Sequence, residues 1–163
     1  MKTCGIINPT TTNFDGRTSS FFEYVQKDVL DILRYLVPKY GYDIILTSPD
    51  NSRFDRNVFL AARKYKATVK PNLLVMACLH TAPNKTSRLY TPLNTIVTDT
   101  DTPEDNQRKL IDLCDELLVL ATPKDLKEST GPAKTAVLYA QKRQVTVRTI
   151  LYATENGVLR LHF

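Results

Sequence analysis

Tryptophan is absent from this chain of 163 residues, and glycine is scarce, with five residues in all. No Gly-x-Gly-x-x-Gly sequence occurs, so the chain lacks the loop with which conventional dinucleotide-binding proteins approach a pyrophosphate. The tyrosines form no cluster with basic residues, and without tryptophan no stacking platform for nucleic acid is evident. These absences disfavour a conventional dinucleotide enzyme and weaken the case for nucleic-acid binding.

Cysteine and histidine are also rare. Cys4, Cys78 and Cys114 are odd in number and widely spaced, so they indicate buried thiols and no disulfide framework. A zinc site usually needs closely paired ligands, and His80 and His162 are far apart in sequence. We therefore expect neither a metal nor a cofactor. A cysteine nucleophile acting with His80 is the alternative that these residues leave open.

Long hydrophobic runs are missing as well. No apolar stretch approaches the roughly 18–20 residues of a membrane span, and no signal-like segment follows Lys2. We expect a cytoplasmic protein without membrane contact, in the host cytosol if it is viral. The net charge of +5 favours a polyanionic partner, but lysine and arginine are spread along the chain, which also fits an ordinary basic surface. The length predicts a single domain over residues 1–163.

Apolar stretches of strand length alternate with helical patterns along the chain. Strands are predicted at residues 2–8, 42–47, 73–79, 94–98, 117–121 and 145–150. The first helix carries an apolar stripe and is ended by Pro38 and Gly41; further helices follow the second, fourth and fifth strands. This alternation predicts an α/β fold, a Rossmann-like parallel sheet sandwiched between helices. Asn156 and Gly157 indicate a short C-terminal hairpin-like extension.

The clearest functional pattern is a buried strand that runs into a loop of small residues and then a helix. It comprises residues 114–120 (CDELLVL) and 129–140 (STGPAKTAVLYA). A helix start offers unpaired N–H groups and a positive dipole end, so this turn predicts an anion site. Loops 10–20, 48–55 and 128–135 follow strands of the same sheet and are predicted to converge on one cleft. The competing interpretation is that their polar residues are turn formers and caps, with Ser52 or Asp55 capping the second helix and Thr130 the fifth.

Residues 105–120 (DNQRKLIDLCDELLVL) and 131–147 (GPAKTAVLYAQKRQVTV), together with Asp55 after the second strand, resemble the SLOG superfamily of Rossmann-like nucleotide-binding proteins. The likeness covers residues 21–150 and is greatest to the small stand-alone members, the YpsA and YspA groups. Two features depart from the pattern: residues 47–54 (TSPDNSRF) contain no glycine, and Pro132 stands where the family has the threonine of a Gly-Thr turn.

The resemblance implies a ligand site. Gly131, Lys134 and Thr135 would line the phosphate end with Ser129 and Thr130 as hydroxyl donors, Asp55 would face the sugar or base, and Asn106 would help to close the pocket. From the residues themselves we add Arg17 and Arg53, because a guanidinium can bind two phosphate oxygens. The polar loop residues Thr11, Ser48 and Asn51 complete the expected set.

Three functions compete. The first is binding of a nucleotide or nucleotide-derived signalling molecule without turnover, as a sensor or a sequestering protein of viral counter-defence. It is favoured because Thr135 and Val137 stand near the place where related hydrolases carry a catalytic glutamate. The second is an N-glycosidic hydrolase or deoxyribosyltransferase-like enzyme using Glu128, Asp50 or Asp55, and the third is nucleic-acid binding.

We also expect a homo-oligomer, most simply a two-fold dimer. Phe21, Tyr24 and Leu30 lie outside the main apolar stripe of the first helix. The terminal residues 161–163 (LHF) would be exposed unless they pack on the domain or on another copy.

Overall fold

A computed structural model describes residues 1–10, 13–49, 52–155 and 158–162 of the chain. Strands and helices alternate through these residues, as the sequence predicts. In chain order they are β1 (Thr3–Ile7), α1 (Ser19–Tyr40), β2 (Ile44–Thr47), α2 (Arg53–Thr68), β3 (Leu74–Leu79), β4 (Thr95–Val97), α3 (Pro103–Asp112), β5 (Glu116–Ala121), α4 (Pro123–Lys127), α5 (Pro132–Lys142), β6 (Thr146–Glu155) and β7 (Val158–His162).

The strands form one sheet in the order β4-β3-β2-β1-β5-β6-β7. Strands β1 to β6 run parallel, and β7 pairs antiparallel with β6. The chain moves outward from β1 to β4, then crosses back and continues on the other side of β1. The predicted Rossmann-like fold with a hairpin-like extension is therefore confirmed. Asn156 and Gly157, on which the hairpin prediction rested, lie outside the described residues.

Both faces of the sheet are covered. Helices α1 and α2 share one core with the sheet, and α3 and α5 share the other. The central strands β1 and β5 are buried at every residue, which explains why they are apolar without alternation. On α5 the buried residues are all alanines, Ala133, Ala136 and Ala140, as expected for a helix that approaches the sheet closely.

Helix α1 differs from its prediction at the C-terminal end. Pro38 lies inside the last turn, where it has no N–H to donate to the Arg34 carbonyl, yet the helix continues past it to Tyr40 and is capped by Gly41. Gly41 has a φ of 70° and donates its N–H to Val37, the arrangement that glycine permits at a helix end. Phe21 and Leu30 are buried within the chain, because α1 packs against α2 and also lies beside β7. This burial removes part of the reason for expecting self-association.

The short helix α4 was not predicted. It is one turn long and shows no apolar periodicity, but it opens with Pro123 and carries a capping box formed by Thr122 and Asp125. None of the helices in the described ranges combines the length and apolar character that a membrane crossing requires.

A charged cluster joins the amino ends of the central strands. The Glu116 carboxylate accepts a hydrogen bond from the Tyr42 hydroxyl and pairs with Lys2 at 2.8 Å and with Arg148 at 3.4 Å. The Arg148 guanidinium also lies 3.7 Å from the ring centre of Tyr40. Burial alone would raise the pKa of Glu116, but the hydrogen bonds from Lys2, Tyr42 and Arg148 outweigh it, so the pKa is lowered.

We expect Glu116 to make the free energy of unfolding decrease at acidic pH. The pKa of Glu116 is lower in the folded chain than in the unfolded chain, where it is about 4.3. The stabilisation that Glu116 provides is therefore fully present above about pH 4.3. The contribution is lost as pH falls through the folded pKa. The difference in free energy of unfolding between wild type and Glu116→Gln should therefore shrink below about pH 5. Urea unfolding at several pH values measures it. Glu23→Gln, which removes an exposed carboxylate, is the control; parallel profiles for wild type and Glu116→Gln would contradict the assignment.

Gly5 allows α3 to pack directly on β1. A Cβ at this position would lie 2.5 Å from the Cys114 Sγ and 2.6 Å from the Leu110 Cδ2. We expect Gly5→Ala to lower the free energy of unfolding by about 1–3 kcal/mol or more, since the core there has no space. Gly16→Ala meets nothing within 4 Å and should change stability by less than about 0.5 kcal/mol. Equal thermal unfolding curves for the two variants would show that the helix can shift away.

Candidate functional site

A cleft of about 280 Å³ opens at the carboxyl edge of the sheet. It lies beyond the end of β1, where the connections of a doubly wound sheet diverge and where ligands bind in such folds. Four segments line it: the loop after β1 and the starts of α2, α3 and α5. The lining residues are Asn8, Pro9, Thr10, Asn13, Phe14, Ser52, Asp55, Pro103, Glu104, Gln107 and Pro132.

Aromatic rings support the floor of the cleft. The Phe14 ring lies 5.2 Å from that of Phe54 and 5.9 Å from that of Tyr152, centre to centre. The Tyr152 and Phe54 rings are 5.2 Å apart. The Tyr152 hydroxyl donates a hydrogen bond of 2.5 Å to the Asn8 Oδ1. Asn8 is therefore held from below by a side chain of the distant strand β6.

Asp125 connects the first loop to the region after β5. Its carboxylate is buried and accepts hydrogen bonds from the Thr10 hydroxyl at 2.9 Å, the Thr122 hydroxyl at 2.7 Å and the Thr122 N–H at 2.9 Å. Thr10 lines the cleft, so this network sets the position of one wall.

Ser52 and Asp55 form a reciprocal cap at the start of α2. The Ser52 hydroxyl accepts a hydrogen bond from the Asp55 N–H at 3.1 Å and donates one to the Asp55 Oδ2 at 2.8 Å. The capping interpretation of Ser52 is therefore what the structure shows. Asp55 is 7 % exposed and lines the cleft, so its carboxylate also faces the space a ligand would use.

The charge of the cleft is negative. Asp55 and Glu104 contribute carboxylates, and the described lining includes no lysine, arginine or histidine. Hydroxyls and amides supply the remaining polar groups, and Phe14 and three prolines supply apolar surface. This lining suits an uncharged polar group such as a sugar or a base better than a phosphate.

A second groove, of about 250 Å³, continues from the cleft between α3 and α5. The two spaces share Glu104, Gln107 and Pro132. In the groove, the cationic side chain of Arg108 lies together with the hydroxyls of Thr130 and Thr135, whereas the described lining of the cleft has hydroxyls but no cation. The further lining residues of the groove are Arg108, Ile111, Thr130, Thr135, Ala136 and Tyr139.

The predicted phosphate turn lies beside this groove, not inside the cleft. Thr130 and Thr135 line the groove, and the Thr135 hydroxyl donates to the Gly131 carbonyl at 3.0 Å. Ser129 and Lys134 are exposed on the same turn.

Gly131 is covered by a side chain of its own loop. A Cβ at Gly131 would lie 2.7 Å from the Glu128 Oε2, so this carboxylate already rests against the start of α5. Helix α5 has no side-chain cap hydrogen bond at Gly131. An anion approaching this helix start must therefore displace a negatively charged group.

Arg17 and Arg53 are brought together, but outside the cleft. The Arg53 guanidinium donates to the Arg17 carbonyl at 3.4 Å and lies 4.3 Å from the ring centre of Phe22, whereas that of Arg17 lies 5.5 Å from Phe21. Arg17 precedes α1 and Arg53 begins α2; both are exposed and line neither the cleft nor the groove.

The remaining predicted residues are dispersed. Asn106 is fully buried; its Nδ2 donates to the Cys78 carbonyl at 3.0 Å and its Oδ1 accepts from the Thr98 hydroxyl at 2.6 Å, which joins α3 to the ends of β3 and β4. Ser48 is buried after β2. Thr11 and Asn51 lie outside the described residues.

The cysteines are buried thiols, as predicted. Burial raises the pKa of Cys4 to about 12 and raises that of Cys114 as well, so both thiols stay protonated. Within the described residues, no three His, Cys, Asp or Glu side chains are grouped closely enough to hold a metal ion.

Four residues that line the cleft or hold its lining in place were not predicted from the sequence: Asn8, Gln107, Asp125 and Tyr152. The Thr122-x-x-Asp125 spacing is a capping signal that the sequence does carry. Asn8 directly follows the first strand, where ligand-binding residues of this fold class occur. Tyr152 gave no signal, because only the sheet order brings β6 near the end of β1.

No model of a known protein family matches the chain, and no curated protein matches it at a significant level.

We expect Asp125 to stabilise the cleft wall. Asp125→Asn removes an acceptor from a buried network and should lower the free energy of unfolding by about 1–3 kcal/mol. The matched control is Asp105→Asn, since Thr102 and Asp105 repeat the same spacing at the start of α3 with an exposed carboxylate. The control should cost about 0.5 kcal/mol or less. Chemical denaturation of both variants measures the difference, and an equal loss would show that Thr10 is held in another way.

Proposed function

We propose that the protein binds a nucleotide or a nucleotide-derived signalling molecule and does not convert it. The observation that carries this proposal is the convergence of four chain segments, including the starts of α2, α3 and α5, on one cleft at the carboxyl edge of a doubly wound sheet. The cleft and the adjoining groove together offer apolar, polar and cationic surface. The base, the sugar and the phosphate of a nucleotide require these three kinds of surface.

The charges suggest an orientation for the ligand. The base or sugar would occupy the acidic cleft, where Asp55 is an acceptor for N–H or hydroxyl groups. The phosphate would lie in the groove between α3 and α5, near Arg108, Thr130 and Thr135. This orientation agrees with the phosphate end that the SLOG resemblance implies, and membership of that superfamily remains part of the proposal.

Binding without turnover is favoured by the distribution of carboxylates. Helix α5 carries no acid, and Glu128 rests against the helix start of Gly131 instead of facing the cleft. A glycosidase normally uses two positioned carboxyl groups, and of the two carboxylates in the described lining of the cleft only Asp55 is buried, whereas Glu104 is exposed. A protein that retains an intact nucleotide signal could serve as a sensor or, in a virus, as a sequestering counter-defence protein.

An N-glycosidic hydrolase is the second candidate, and one observation favours it. Asp55 is a buried carboxylate on the cleft wall, held in place by the Ser52 hydroxyl. A carboxylate fixed in this way is suited to act as nucleophile or general base.

Self-association to a dimer remains a prediction. Tyr24 and Leu138 are partly exposed apolar residues on α1 and α5 that a second copy could cover. Light scattering at micromolar concentration tests it.

Incubation with mixed cellular nucleotides, followed by separation and mass spectrometry of bound and free fractions, tests binding against turnover. Recovery of an intact nucleotide from the denatured protein supports binding. Release of free base, abolished by Asp55→Asn, would establish the hydrolase instead. Absence of any retained nucleotide would refute both.

We expect Arg108→Ala to weaken retention of the recovered nucleotide roughly 10- to 100-fold, because one charge-assisted hydrogen bond is worth about 1.5–3 kcal/mol. Arg34→Ala is a closely matched control: each arginine pairs with an aspartate three residues earlier at 3.5 Å, and both are about half exposed. Arg34 lines neither the cleft nor the groove, so the Arg34→Ala variant should bind the nucleotide as wild type does. Equal affinities for both variants in calorimetric titration would place the phosphate elsewhere.

A further inference from the structure

Asn8 occupies a special place on the cleft floor. It follows β1 directly, lines the cleft, and receives the Tyr152 hydroxyl on its Oδ1. The Tyr152 side chain is 1 % exposed, and its ring contacts the rings of Phe14 and Phe54, which also contact each other. A side chain that is fully enclosed by close packing has few alternative rotamers, so the Tyr152 hydroxyl keeps its position against Asn8.

The direction of this hydrogen bond follows from the surroundings of Tyr152. Burial raises the pKa of Tyr152 well above its usual range, and the negative charges of Asp55 and Asp125 raise it further. The hydroxyl therefore stays protonated and is a donor to Asn8. Asn8 must present its oxygen to Tyr152, which turns the amide nitrogen to the opposite side.

The Asn8 Nδ2 then points away from Tyr152. Among the described residues, none accepts a hydrogen bond from this nitrogen, and Asn8 lines the cleft. A half-buried donor that borders a cleft is available to an acceptor on a ligand.

We propose that Asn8 is a specificity-determining residue that donates a hydrogen bond to a nucleobase of the ligand, and that Tyr152 is the residue that positions it. The acceptor would be a ring nitrogen or a carbonyl oxygen. This inference rests on the proposed function.

The shape and chemistry of the cleft favour a base over a sugar as the partner of Asn8. Phe14 and the prolines Pro9, Pro103 and Pro132 provide apolar surface for a flat ring. Asp55 is an acceptor on the same cleft, so donor and acceptor are both present, as on the hydrogen-bonding edge of a base. Once a ligand covers the Asn8 amide, an analogue that lacks the acceptor is disfavoured, because the donor would remain unpaired.

The test uses calorimetric titration with AMP, GMP, CMP, UMP and ribose 5-phosphate as probes. Asn8→Asp replaces the donor by a charged acceptor and should weaken binding of the preferred nucleoside monophosphate about 30-fold or more. Tyr152→Phe keeps the ring but releases the Asn8 amide, and should weaken binding about 3- to 10-fold. Neither variant should change the affinity for ribose 5-phosphate.

The matched control is Tyr42→Phe, which removes another buried tyrosine hydroxyl that donates to a side chain, here Glu116 at the amino edge of the sheet. It should lose stability but bind every probe as wild type does. Thermal unfolding confirms that each variant is folded at the titration temperature. In ¹⁵N–¹H spectra, the Asn8 side-chain amide signals, identified by their absence in Asn8→Asp, should shift when the preferred nucleotide is added.

The possible failures are distinguishable. If wild type binds a nucleotide and Asn8→Asp binds it equally well, the proposed role of Asn8 is wrong while the proposed function stands. Wild-type affinity in Tyr152→Phe would overturn the positioning role. An equal loss for ribose 5-phosphate would assign Asn8 to the sugar and overturn base recognition. If none of the probes binds wild type, base recognition by Asn8 fails, while the proposed function is decided by the experiment with mixed cellular nucleotides.

Discussion

The pairing of β1 with β5 is the constraint on which the rest of the structure depends. These strands are distant in sequence, and a carboxylate joins them at each end. At the amino end, Asp115 accepts from the Thr3 N–H at 2.8 Å and the Asp115 N–H donates to the Thr3 carbonyl at 3.0 Å. At the carboxyl end, Asp125 accepts from the Thr10 hydroxyl. Because the chain diverges to opposite sides of the sheet at this pair, the cleft lies above it.

The two edges of the sheet satisfy their buried carboxylates differently. At the amino edge, Glu116 is neutralised by Lys2 and Arg148, which makes that edge a structural ion network. At the carboxyl edge, the hydrogen bonds shown for Asp55 and Asp125 come from hydroxyls and backbone amides. The described lining of the cleft carries two carboxylates and no cation, so it suits the uncharged part of a ligand and leaves a phosphate to the groove that contains Arg108.

Most of the fold was predictable from the sequence, because strand and helix signals are local. The strands from β1 to β6 and the longer helices appeared where apolar patterns indicated them, with shifts of a few residues at their ends. Helix α4 was missed because one turn shows no periodicity. The burial of Phe21 and Leu30 was missed because their partners on α2 and the sheet are distant in sequence. For the site, the convergence of loops at one edge followed from the topology, and Asp55 lines the cleft at that edge. Asn106 could not be placed correctly, since its side chain finds its partners on β3 and after β4.

By itself, the sequence determined the fold class and the edge of the sheet at which a site should form, because apolar periodicity and helix capping are encoded in neighbouring residues. Only the tertiary structure decided which polar groups face the cleft. In the folded chain, Arg17 and Arg53 contact aromatic rings, and the Glu128 carboxylate lies against Gly131. Tyr152 contacts Asn8, which is 144 positions away in sequence. The direction of a side chain depends on the partners that packing supplies, and those partners come from parts of the chain that no local pattern connects.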